Sequence, residues 1–104
     1  MNNEYWILNK NRKIKKVDLM TWAKWFKSSQ DRIIGKDIIK GIRVSTVFLG
    51  IDHGFGLGKP ILFETIIFGS NLKKLQGYQE RYHTLQEAEK GHKDAIEFVN
   101  SILK

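Results

Sequence analysis

The sequence predicts an α+β fold: a small antiparallel sheet of roughly four or five strands packed against two helices, in the order β-α-β-β-β-β-α. Three observations carry this. The last twenty residues repeat apolar side chains at helical spacing behind a capping signature, the middle of the chain holds two long β-branched runs, and an aromatic stripe at helical spacing lies near the start.

Tyr5-Trp6-Ile7-Leu8 is short, aromatic and followed by the turn-forming Asn9-Lys10-Asn11, which predicts a brief first strand. Asp18 is a good N-cap for a helix over about 18–29, with Val17 and Trp22 placed to staple its entry. Leu19, Trp22, Trp25 and Phe26 project onto one side of that helix and Lys24 and Lys27 onto the other, so the tryptophans read as core residues. A stacking platform for nucleic acid is the alternative, and it requires exposed rings.

From residue 32 the runs Arg32-Ile33-Ile34, Asp37-Ile38-Ile39 and Ile42 to Leu49 predict strands, with bends or bulges at Gly35 and Gly41. Ile61 to Phe68 predicts a second long strand, paired antiparallel with the first through the 50–60 loop. Tyr78 to Tyr82 alternates as an edge strand. Thr84 and Glu87 form a capping box that opens the final helix, whose stripe is Leu85, Ala88, His92, Ala95, Ile96, Val99, Ile102 and Leu103. Repeats and linkers do not appear, so residues 1–104 read as one domain.

With 41% hydrophobic residues and twelve aromatics, the chain has the composition of a folded domain. Without cysteine, disulfides, thiolate nucleophiles and sulfur-based zinc sites are excluded. The opening ten residues lack the apolar run of a signal peptide, and no stretch is long enough to span a membrane, so the expected location is the cytoplasm. The net charge of +7 is concentrated early: residues 1–43 hold eleven Lys or Arg against four acids, and residues 44–104 hold seven of each. Lys10, Arg12, Lys13, Lys15 and Lys16 form a tight cluster, a candidate contact for nucleic acid or an acidic partner.

Few residues point to chemistry. The loop from Gly50 to Pro60 holds four glycines but departs from a phosphate loop, because His53 stands at the first glycine position and Pro60 follows Gly58-Lys59. Glu64 shares a strand side with Leu62, Ile66 and Phe68, and His92 lies within the apolar stripe of the last helix. Both are therefore expected inside, where a carboxylate and an imidazole in contact would relieve each other's desolvation. Asp52, His53, Glu64, Arg81 and His92 form the candidate ligand site, against the plainer reading of a hydrogen-bonded core histidine and glutamate. Metal-ligand spacing and a nucleophile elbow are both missing, so no metal, cofactor or catalytic residue is assigned. Gly91, inside the last helix, marks a close approach by a packed strand or by a ligand.

The strings Val44-Ser45-Thr46-Val47-Phe48-Leu49-Gly50-Ile51-Asp52-His53, Phe55-Gly56, Pro60 and Leu62-Phe63-Glu64-Thr65 are distinctive, as are Tyr78-Gln79, Arg81-Tyr82, Thr84, Glu87-Ala88 and Gly91-His92. With Trp22, Trp25 and Phe26, they span roughly residues 19–96. Together they resemble a family of small uncharacterised phage, prophage and plasmid proteins whose members read VSTVFLGLDH, LFETMVFG and RY-T-EA--GH. The chain departs from that pattern at Ile66-Ile67, where Met-Val is usual, and in its basic start. The resemblance carries over no catalytic residue. It implies an accessory protein of a mobile element, acting in the host cytoplasm by binding a host or defence component.

Three functions are weighed on this basis. A non-enzymatic binder or counter-defence inhibitor of a host or defence protein is preferred, and predicts a stable complex or a homo-oligomer. A nucleic-acid binder using the basic start is second, although no helix-turn-helix or RNP signature is present. A small-ligand binder or hydrolase around Asp52, His53, Glu64 and His92 is third.

Overall fold

A computed structural model describes residues 4–54 and 56–104. Phe55, one of the residues carrying the family resemblance, lies outside the described residues. The fold is α+β, in the order β1 (Tyr5–Leu8), β2 (Ile14–Val17), α1 (Leu19–Ser28), β3 (Ile33–Ile39), β4 (Ile42–Phe48), β5 (Phe63–Phe68), β6 (Gln79–Tyr82), α2 (Leu85–Ile102).

β1 and β2 form a separate antiparallel hairpin in which Tyr5 faces Val17 and Leu8 faces Ile14. Asn9 shapes its turn by accepting the backbone N–H groups of Asn11 and Lys13 on its side-chain oxygen. α1 begins as expected, with the Asp18 carboxylate accepting the Thr21 N–H. The aromatic stripe of α1 is only partly covered. Trp25 meets the edge of Phe48 at 5.6 Å and Trp22 stacks between Tyr5 and Phe26, but Leu19 stays 51% exposed and Met20 67%.

The remaining strands make an antiparallel meander in the order β3-β4-β5-β6. Lys40 and Gly41, with φ of 48° and 85°, close the tight turn between β3 and β4, a conformation that glycine adopts without strain. Gly35 lies at a bulge within β3, not at a break between two strands. The pairing of β4 with β5 is antiparallel as the sequence predicts, and β6 is an edge strand.

α2 lies across one side of this sheet, opened by the Thr84–Glu87 capping box, and buries Ala88, Gly91, His92, Ala95 and Val99. One core cluster joins Ile42, Val44, Ile67 and Leu75 to Ala95 and Val99. A second gathers Leu8, Phe48, Leu62, Phe63 and Ala88, and so ties the hairpin to the sheet. That junction is reinforced where the Trp6 N–H donates to the Gly50 carbonyl.

The structure differs from the expected order in one element. Residues 14–17 form a strand, giving six strands in two sheets, because β1 supplies the partner that the lysine-rich segment does not announce by its own pattern. Among the described residues, no helix is long and apolar enough to cross a membrane.

Candidate nucleic-acid interface

The side of the sheet beneath α2 holds a chain of hydrogen-bonded polar groups that runs from fully buried threonines to the half-exposed Asp37. Thr46 and Thr65 face each other across β4 and β5 and hydrogen-bond at 2.5 Å. Thr46 Oγ1 also bonds His92 Nδ1 at 2.7 Å, and His92 Nε2 reaches Asp37 Oδ2 at 2.7 Å. The Tyr82 hydroxyl donates to Thr65 Oγ1 at 3.1 Å, and burial pushes that phenol above its ordinary pKa, against the opposing effect of the Thr65 bond. Two glycines make room. A Cβ on Gly35 would lie 2.7 Å from the His92 ring, and one on Gly91 would overlap the Tyr82 hydroxyl. The close approach at Gly91 is thus by a packed strand.

This arrangement places an acid, an imidazole and a hydroxyl in line, as a hydrolase would. Thr46 and Thr65 are fully buried, however, so no substrate can reach either hydroxyl. The network satisfies core groups and holds β3, β4, β5 and α2 together.

The expected meeting of Glu64 with His92 does not occur. Strand alternation puts Glu64, Ile66 and Phe68 on the side away from α2, while Phe63, Thr65 and Ile67 point toward it. Glu64 is covered by residues of the adjacent strand β6: Arg81 Nε donates to it at 2.9 Å and Gln79 Nε2 at 2.6 Å. Asp37, not Glu64, is the carboxylate that partners His92.

Asp52 and His53 belong to neither group. The Asp52 carboxylate gathers the backbone N–H groups of Ile61, Gly54 and Gly56 at 2.8, 2.7 and 3.0 Å, and these bonds, that from Ile61 foremost, hold its pKa below the usual carboxylate value. Its role is to fasten the glycine loop. His53 Nδ1 bonds the Ile51 carbonyl at 2.9 Å. The five residues of the candidate ligand site are therefore split between three places. Among the described residues there is no group of three or more His, Cys, Asp or Glu placed to hold a metal ion.

The N-terminal cations cluster on and around the hairpin, but two are engaged. Lys16 pairs with Glu4 and Arg12 with Glu89, leaving Lys10, Lys13 and Lys15 exposed and without an ion pair among the described residues.

A second cationic surface forms that no contiguous stretch of the sequence announces. Among the described residues no helix packs against the sheet side opposite α2, which carries Lys36 and Ile38 from β3, Arg43 and Val47 from β4, Phe68 from β5 and Arg81 from β6. Ile38 is 64% and Phe68 42% exposed. A cleft of about 240 Å³ opens there, with Arg32, Lys36 and Arg43 on its cationic side and Ile33, Val47 and Phe68 as its apolar part. The signal was the alternation of Arg43-Val44-Ser45-Thr46-Val47: once Val44 and Thr46 are placed inside, Arg43 and Val47 must share the outer side. Comparison with protein-family models, with curated proteins and with solved structures returns no significant match for this chain.

Proposed function

We propose that the protein is a non-catalytic binder of single-stranded nucleic acid, which lies across the uncovered side of the four-stranded sheet. The observation that carries this reading is the combination on that side of Lys36 and Arg43, neither in an ion pair among the described residues, with the exposed ring of Phe68. Cations supply attraction to the phosphates, and an exposed aromatic ring offers a stacking surface to a base. One such ring gives little sequence selectivity. Lys10, Lys13 and Lys15 of the hairpin extend the attraction, and a chain of net charge +7 is drawn to polyanions at long range.

The test is fluorescence anisotropy of labelled oligonucleotides over a salt series. With about three to five phosphates engaged, log K should fall against log salt with a slope of roughly −2 to −3.5, at about 0.7 per contact for a single strand. Binding that is insensitive to salt, or absent at about 50 mM salt, where such contacts are strong, would refute the reading.

A second reading, a host or defence protein as partner, is favoured by a different observation. Leu19, Met20 and Phe26 leave an apolar stripe of α1 open. It fits an accessory protein working in the cytoplasm of a host cell, alone or as a homo-oligomer. Leu19→Ser with Met20→Ser separates the two readings, because it removes the stripe and leaves every cation in place.

A further inference from the structure

We infer that the cleft between Arg32, Lys36 and Arg43 is a phosphate seat, formed to take successive phosphates of an extended strand. The inference deepens the nucleic-acid reading and rests on it for the source of the phosphates.

The first argument is charge without compensation. Three cations line one cleft of about 240 Å³, and none of its lining residues is acidic. Asp37 bonds His92 on the other side of the sheet, Glu64 bonds Arg81 and Gln79, and Asp31, next to Arg32 in the chain, is not among the lining residues. Cations lining one cleft without an acid among them concentrate positive potential there, and a polyanion is drawn to it.

The second argument is how the arginines are held. Arg32 Cζ lies 5.1 Å from the centre of the Phe26 ring and Arg43 Cζ 5.4 Å from that of Phe68. Neither side chain hydrogen-bonds a protein acceptor among the described residues, and the Arg32 Nε is buried without a partner. Stacking on an aromatic ring fixes a guanidinium plane and leaves N–H groups along its edge free for oxygen acceptors. Each ring restrains its guanidinium before a ligand arrives, which lowers the entropy lost on binding. Phosphate oxygens match the fork, and a lone carboxylate would satisfy only one of the three cations.

The third argument is shape. Arg43 and Val47 are four residues apart on β4, roughly 13 Å along the strand, and Arg32 adjoins Ile33, the partner of Val47. The two arginines thus approach the cleft from opposite ends, with Lys36 on the intervening stretch of β3. Charge arranged in a row suits a phosphodiester chain, and Ile33 and Val47 present an apolar surface to its sugars.

The experiment measures oligonucleotide affinity, at about 100 mM salt, of the wild-type chain and of Arg43→Gln, Lys36→Gln and Phe68→Leu. Lys74→Gln, at an exposed position of the 70–77 loop, removes a cation elsewhere. Arg43→Gln and Lys36→Gln should each weaken binding by about tenfold and make the salt slope shallower by roughly 0.7, while Lys74→Gln changes affinity less than about twofold. Phe68→Leu leaves the charge intact and should still weaken binding, because Arg43 loses its support and a base loses its stacking surface. Lys36 is exposed, so its variant is expected to fold, and thermal melting checks each protein. If the wild type binds the strand and the cleft variants behave like Lys74→Gln, the seat is refuted while the nucleic-acid reading stands. If the wild type binds no strand, the reading falls and the seat with it. Displacement of the oligonucleotide by inorganic phosphate at comparable concentration would show a site for a small anion and overturn the strand as its source.

Discussion

Substituting Gly91 by alanine should destabilise the protein, although alanine is the better helix former. Within a helix the exchange is worth about 1 kcal/mol in favour of alanine. At this position the new methyl group would occupy the space of the Tyr82 hydroxyl and its ring carbon, and the tyrosine cannot swing away without leaving Thr65. Overpacking costs about 1–3 kcal/mol and the lost hydrogen bond about 1 kcal/mol, so the net change is a loss of about 1–3 kcal/mol. In urea, with a denaturant slope of about 2 kcal/mol/M, the midpoint falls by about 1 M. The decisive comparison uses Tyr82→Leu, because leucine ends before the atoms that collide. In that background Gly91→Ala meets no obstacle and should stabilise by up to about 1 kcal/mol, so the effect changes sign. A higher midpoint for Gly91→Ala in the wild-type background would show that Tyr82 does not press on the helix there.

Two further predictions concern the polar groups. Asp52→Asn places an amide NH₂ against one of the three backbone N–H donors and should cost about 1–2 kcal/mol near neutral pH, measured by equilibrium unfolding. Because the folded Asp52 has a pKa below the ordinary aspartate value, the stability it contributes is present above about pH 4 and lost as the pH falls through the folded value. Asp18, bonded by Thr21, and Glu87, bonded by the His83 and Thr84 N–H groups, are lowered in the same sense, so acid should destabilise the protein, less steeply in Asp52→Asn. Thr46→Val keeps the shape of the side chain but leaves His92 Nδ1 and the Thr65 hydroxyl each short of a partner, a loss of about 1–3 kcal/mol that should leave oligonucleotide affinity unchanged. A stable variant that no longer binds oligonucleotide would return the network to consideration as a functional site.

Much of the framework could be read from local signals. Thr84 with Glu87 marked the start of α2, the β-branched runs marked β4 and β5, and Gly91 announced a close contact. What escaped depended on partners distant in the chain. Ile14-Lys15-Lys16-Val17 lacks strand alternation and becomes a strand only because β1 lies beside it. Both alternating sets of β5 are largely apolar, so period-two reasoning could not decide whether Glu64 or Thr65 points toward α2. Asp37 sits 55 residues from His92, and only the paired register of β3 and β4 brings the two together. The open cationic surface escaped for a related reason: Arg32, Lys36, Arg43 and Phe68 form no motif in sequence and meet only across three strands.

The line of groups from Tyr82 to Asp37 also has a direction. Each threonine hydroxyl has a single proton to give, so when the imidazole is neutral and its Nε2–H points to Asp37, every donor in the row must face the same way. Making Nδ1 a donor instead would oblige only the Thr46 hydroxyl to rotate, because its oxygen has two lone pairs and can accept from the ring and from Thr65 together. A rearrangement at the ring can therefore stop at Thr46, and the tyrosine on the far strand of the sheet keeps its bond to Thr65.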